Sequence, residues 1–247
     1  MTVTWEELGW ERLAAGVGRC RLPVWDCTAG LVVGAEAALV IDAGSSLKEG
    51  ARLRTQAQWL AGRRVTHLAL THPHFDHVFG AAAFAGAEIF GAVGMDTVFE
   101  QRHAREELRA DAVGHGLDPE SAEEAVDALA RPRHHVSGEW TLDLDDGHQV
   151  LLANVGPAHT AHDLVVLVPA RSPGDREVVF CGDLVEESGE PQAGPDAVPS
   201  HWPAALDRLL DLGGEDALYV PGHGAVVDAG FVRRQRDALA DRFGVSR

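Results

Sequence analysis

THPHFDH, residues 71–77, places three histidines and an aspartate within six positions. It follows VTHLAL (65–70), which reads as a β-strand. It runs into HVFGAAAFAG (77–86), which reads as a short buried helix. On a chain still extended beyond a strand, side chains two apart share a side. His72, His74 and Asp76 are therefore expected to converge, with His77 turned elsewhere at the helix start. Imidazole and carboxylate both bind divalent cations, so this stretch alone is a candidate for ligands to two neighbouring metals.

Three further donors sit at other strand ends. His159 lies in VGPAHT after a predicted strand at 149–155. Asp183 lies in VVFCGD after one at 177–181, and His223 in YVPGHG after one at 217–220. Each is flanked by Gly or Pro, the residues of the sharp turns that aim a side chain into a cleft. Four strand ends each delivering a nitrogen or oxygen donor is a far stronger signal than the first motif alone.

The set resembles the metallo-β-lactamase-fold hydrolase superfamily. His72-Pro73-His74-Phe75-Asp76-His77 is similar to its H-x-H-x-D-H motif, and His159, Asp183 and His223 to its later ligands. VIDAG at 40–44 looks like its early strand-end aspartate, here Asp42. The likeness spans roughly residues 17–228. It implies a four-layer αββα sandwich of the α/β class. It also implies a first metal on His72, His74 and His159, a second on Asp76, His77 and His223, and Asp183 bridging both. A metal-bridging hydroxide would be the nucleophile, with Asp76 or water protonating the leaving group; Asp76 and Asp183 are thus the catalytic candidates. The donor set lacks thiolate, so two Zn²⁺ are expected, with Fe or Mn admissible. Asp42 is expected either to hold a ligand histidine from behind or to be a plain turn residue.

The chain around these motifs suits a single domain over 1–247. GLVVGAEAALVI (30–41) reads as a hairpin, and 47–61 as an amphipathic helix stopped by Gly62. Residues 95–131 are charged and Ala-rich, and predict a two-helix insert or lid broken at 114–119. Strands are expected at 87–91, 139–144 and 164–168, helices at 203–212 and 229–242, and a Pro/Gly-rich loop at 186–201. His134-His135 reads as a surface turn, and His162-Asp163 as turn chemistry. Trp25, Phe75 and His201-Trp202 are candidates for an apolar wall or for core.

Composition limits the partners. The formal charge is −17, with 21 basic residues against 38 acidic, and Lys48 is the only lysine. A duplex binder needs clustered cations to neutralise phosphates, so nucleic acid is not expected, nor is an anionic membrane. A small-molecule substrate is expected, and the oligomeric state is left open. MTVTWEELGWER shows no leader pattern, and Cys20, Cys27 and Cys181 are too few and too scattered for a disulfide framework. A cytoplasmic protein with reduced thiols is the expectation.

Within the resembled superfamily, Asp183 argues against the antibiotic-degrading β-lactamases, which generally carry another residue there. Glyoxalase II enzymes carry a helical domain beyond the last histidine, and only 24 residues follow His223. Acyl-homoserine lactonases place a tyrosine soon after the bridging aspartate, but the only tyrosine is Tyr219. A hydrolase of small esters, thioesters or lactones remains. A β-lactamase-like amide hydrolase, a di-iron redox protein and a non-catalytic metal binder are the alternatives.

Overall fold

The computed structural model describes residues 4–145, 147–172 and 174–245, so the extreme ends of the expected 1–247 unit lie outside it. Seven strands form the first sheet: β1 (Trp10–Ala14), β2 (Val17–Arg21), β3 (Thr28–Val33), β4 (Ala38–Ile41), β5 (His67–Ala69), β6 (Glu88–Ala92) and β7 (His134–Val136). They lie in chain order, antiparallel from β1 to β4 and parallel from β4 to β7. The second sheet holds β8 (Glu139–Asp143), β9 (Gln149–Asn154), β10 (Leu164–Val168), β11 (Val178–Glu186) and β12 (Leu218–His223). Its order is β12-β11-β10-β9-β8, with only β11 and β12 parallel.

Side-chain alternation builds the layers. All of β4, ALVI, is buried, as expected for a strand covered on both faces. Leu39 and Ile41 enter the space between the sheets with Phe90, Leu152, Val166 and Phe180. Ala38 and Val40 face the opposite way, toward Leu53 and Ala57 of α1 (Leu47–Ala61) and toward Phe79 and Phe84. In β10, Leu164, Val166 and Val168 point inward, while Val165 and Leu167 pack outward. There they meet Trp202 and Leu206 of α6 (Trp202–Gly213) and Val232 of α7 (Ala229–Phe243). The result is the expected helix–sheet–sheet–helix sandwich.

Helix α1 begins where Ser46 accepts the Glu49 N–H and ends at Gly62 in the left-handed region, φ 65°. It presses against the segment that carries the histidine motif. A Cβ on Gly50 would stand 2.3 Å from the Gly80 carbonyl oxygen, and one on Gly80 would stand 2.0 Å from that of Ala43. This glycine contact keeps the turn after β4 against the short helix α2 (Phe75–Val78), where Ala43 N–H donates to the His77 carbonyl at 2.7 Å.

The structure departs from the sequence reading in places. β1 and β2 were not anticipated; β1 buries only Trp10 fully, so WERLA shows no clean alternation. The 95–131 insert holds three helices rather than two: α3 (Met95–Glu100), α4 (Arg102–Gly114) and α5 (Pro119–Asp127). The extra break is Gln101, whose ψ of 124° is extended. His134 and His135 are not in a turn but in β7, where His134 stacks on Phe90 and bonds Glu88 at 2.6 Å. None of the described helices is long and apolar enough to cross a membrane. Replacing Gly80→Val should destabilise the protein by about 1–3 kcal/mol through overpacking, read as a lowered Tm. Gly114→Ala, helical and facing open space, should not lower the Tm and should raise it slightly.

Candidate metal centre

All seven predicted donors come together at one edge of the two packed sheets, but not by the local geometry expected. Alternation along the extended chain ends at His74, whose ψ is 149°. Asp76 and His77 both belong to α2, and His77, rather than turning elsewhere, sits with its ring centroid 4.2 Å from that of His72. Asp183 and His223 do not follow their strands. β11 continues to Glu186 and β12 to His223, with pairing irregularities around Gly182. Close backbone approach explains the neighbouring glycine, because a Cβ on Gly222 would lie 1.8 Å from Asp183 Oδ1.

Asp183 is the hub. Its Oδ2 lies 3.6 Å from His72 Nε2, 3.5 Å from His159 Nε2 and 3.4 Å from His223 Nε2, and its Oδ1 lies 3.1 Å from His77 Nε2. His74 Nδ1 is 3.0 Å from His159 Nε2, and His223 Nε2 is 3.3 Å from Asp76 Oδ2. Tetrahedral bonds of about 2.0–2.1 Å place donor atoms about 3.3 Å apart, so these spacings suit shared cations. His72, His74, His159 and Asp183 form one group of donor atoms within 4.8 Å of one another, and His77, Asp183 and His223 another.

The outer nitrogen of every histidine is tied down. Thr71 Oγ1 donates to Asp42 Oδ2 at 2.8 Å and therefore accepts the His72 Nδ1–H at 2.9 Å. Asp42 Oδ2 also takes the His77 Nδ1–H at 2.8 Å, which makes it the residue behind a ligand histidine rather than a plain turn residue. The Gln192 carbonyl accepts from His159 Nδ1 at 3.0 Å and the Trp25 carbonyl from His223 Nδ1 at 2.7 Å. Such acceptors fix the tautomer and leave the inner nitrogen's lone pair free. His72 Nε2 is the clearest case: it is buried and has no hydrogen-bond partner among the described residues. An orphaned, inward lone pair beside a carboxylate fits a bound cation.

Protonation without metal follows from the same contacts. Burial holds His72 well below its ordinary range and His159 down to about 4. Burial also works against protonating His77 and His223, but the acidic groups around them outweigh it; His223 is pushed up to about 12, mainly by Asp183. His159 spends its Nδ1–H on Gln192, so His74 donates to it through Nδ1. His74 also meets Asp196 Oδ2 through Nε2 at 3.1 Å, and its raised proton affinity against burial agrees. The carboxylates thus favour protonation of His77 and His223, and Asp196 favours that of His74.

With this geometry established, the sequence profile of the Metallo-beta-lactamase superfamily matches residues 22–223. The chain belongs to the metallo-beta-lactamase superfamily. It is 27% identical over 199 residues to Metallo-beta-lactamase domain-containing protein 1 of Xenopus laevis, covering 78% of this chain and 69% of that protein. It is 26% identical over 208 residues to an uncharacterized protein of Mycobacterium tuberculosis, covering 80% and 84%. In structure it resembles a metallo-beta-lactamase from Pontibacter korlensis, with TM-score 0.71, 19% identity and 94% and 98% coverage. It also resembles one from Pseudomonas aeruginosa in its mono-zinc form, with TM-score 0.68, 18% identity and 96% coverage of both chains. At these identities the structural likeness establishes the superfamily fold.

Several residues around this superfamily site escaped the sequence reading. Cys27, read as an ordinary thiol, is buried 3.6 Å from His77 Nε2 and donates to the Asp76 carbonyl at 3.2 Å. Burial pushes it up to about 12, so it stands there as a thiol. Gln192 and Trp25 act through their carbonyls, which no side-chain pattern reveals. Of the proposed apolar wall, Phe75 is buried in the core, with Trp25 packed edge-on against it at 5.3 Å and His115, just beyond α4, stacked on it at 5.7 Å. Trp202 is core instead, fully buried beneath the His159 ring. Asp163 does turn chemistry as expected, taking the Ala158 and Thr160 N–H groups.

Because cations must displace the ring protons, zinc uptake at neutral pH should release protons, and affinity should fall as pH is lowered. Calorimetry in buffers of different ionisation enthalpy measures both. Asp42→Ala should weaken metal binding by about 10–100-fold, read by chelator competition.

Proposed function

We propose that this protein is a binuclear metal-dependent hydrolase acting on a small ester, thioester or lactone. The observation that carries the reading is Asp183, with a carboxylate that reaches four histidines at once from the junction of the sheets. His72, His74 and His159 would hold a first cation and Asp76, His77 and His223 a second, with Asp183 between them. Bound there, two zinc ions supply a water nucleophile of pKa about 7 and polarise the scissile carbonyl.

The protein's own groups set the rest. Burial disfavours the Asp76 carboxylate, but His77 and His223 outweigh this and hold it ionised. With cations bound, Asp76 or a water molecule would carry a proton to the leaving group. His74 is 24% exposed and His223 13%, against 1% for His72 and 0% for His77. Substrate access is accordingly from the His74 and His223 side. Half-buried Trp25 and exposed His115, both packed on the buried Phe75, support an apolar acyl group there. A cytoplasmic location belongs to the same reading, supported by three free, buried cysteines.

Zinc-loaded protein should hydrolyse one class among thioesters, lactones and esters. Asp183→Asn at matched metal content should lose that activity by orders of magnitude. Cleavage confined to β-lactams would shift the assignment to amide hydrolysis. Equal rates for the two proteins on every class would sink the hydrolase reading.

A further inference from the structure

The five histidines are not supported alike. His72 and His77 lean on Thr71 and Asp42, which are 2% exposed and part of the packed core behind the site. His223 leans on the Trp25 carbonyl. The two remaining histidines lean on one surface loop, residues 187–201, between β11 and α6. Its Gln192 carbonyl takes the His159 Nδ1–H, and its Asp196 carboxylate faces His74 Nε2 at 3.1 Å. A third tie is main-chain, from Val198 N–H to the Ala158 carbonyl at 2.8 Å, beside His159.

We propose that Asp196 is a positioning residue for the first metal position, orienting His74 so that Nδ1 faces the centre. The inference rests on the metal-centre reading above and adds a residue that the seven donors do not include. His74 differs from the other four in presenting Nδ1 rather than Nε2 inward, and its Nε2–H needs an outer acceptor to stay so. Asp196 is the acceptor, and it is the only side chain of the loop that meets a donor histidine among the described contacts. A carboxylate behind a ligand imidazole fixes its rotation and raises its basicity. Asp196 is itself 45% exposed, so its hold depends on the loop's being closed. The first position is therefore assembled partly by the 187–201 segment, while the second takes its outer acceptors from Asp42 and the Trp25 carbonyl.

The test compares wild type, Asp196→Ala, Asp196→Glu and Glu190→Ala. Glu190 lies on the same loop but pairs with Arg242 at 3.1 Å instead of a histidine. Stepwise Zn²⁺ affinity is measured by chelator competition. The Co²⁺ visible spectrum and the ring N–H resonances of the zinc-loaded proteins are recorded beside it. Asp196→Ala should keep one cation at wild-type affinity and bind the other about 10–100-fold more weakly. It should also change the cobalt spectrum and lose the protected His74 Nε2–H. Asp196→Glu should restore most of the affinity, and Glu190→Ala should behave as wild type. If Asp196→Ala binds both cations as wild type does, or weakens both equally with a lowered Tm, the positioning role is overturned and the metal centre stands. A wild-type protein that takes up no cation overturns the centre and this role together.

Discussion

Two carboxylates, Asp76 and Asp183, are enclosed together among five imidazoles at the junction of the two sheets. Burying ionised carboxylates is costly unless positive charge accompanies them. Without a metal the carboxylates raise the proton affinity of His77 and His223. The same arrangement favours a divalent cation in place of those protons. Much of the surrounding architecture serves to keep this charge cluster closed and correctly oriented. Gly222 leaves room for Asp183, the Gly50–Gly80 contact presses α2 into place, and Asp42 spans His77 and Thr71.

The sandwich explains why donors so far apart in sequence can meet. β5 and β11 lie in different sheets, yet both run toward the same edge of the inter-sheet core. That core, with Leu39, Ile41, Phe90, Val166 and Phe180, has no polar function and sets the distance between the sheets. Ligands leave it after β5 and β9, within the irregular part of β11 and at the end of β12, where side chains from both sheets face one another. The result is a site whose His72 and His77 rest on buried Thr71 and Asp42, and whose His74 and His159 rest on the 187–201 loop. Such a division places specificity and access in segments that can vary without loss of the core.

The family likeness and the chemistry stand on different supports. Membership in the superfamily follows from the matched profile across residues 22–223. The reaction proposed here follows from residues of this chain: the hub position of Asp183 and the orphaned His72 Nε2. Cys27 adds a buried thiol beside His77.

Much of this was legible in the amino-acid sequence because it is carried by local rules. Continuous apolar runs marked β4 and β10, Gly62 ended α1, and each later donor stood beside a turn-forming Gly or Pro. The seven donors were found from residue type and position alone. What needed the tertiary structure was whatever depends on backbone groups or on distant contacts. His77 converges with His72 only because α2 begins at Phe75. The Trp25 and Gln192 carbonyls hold histidines though no side chain advertises them, and Asp196 meets His74 across 122 positions of chain. β1 was missed because an edge strand with one fully buried residue has little periodicity to read. Sequence by itself determined which atoms can bind a cation, since that is a property of side-chain chemistry. Only the fold decided their orientation and protonation, because hydrogen bonds and burial are set by neighbours that the chain brings together in space.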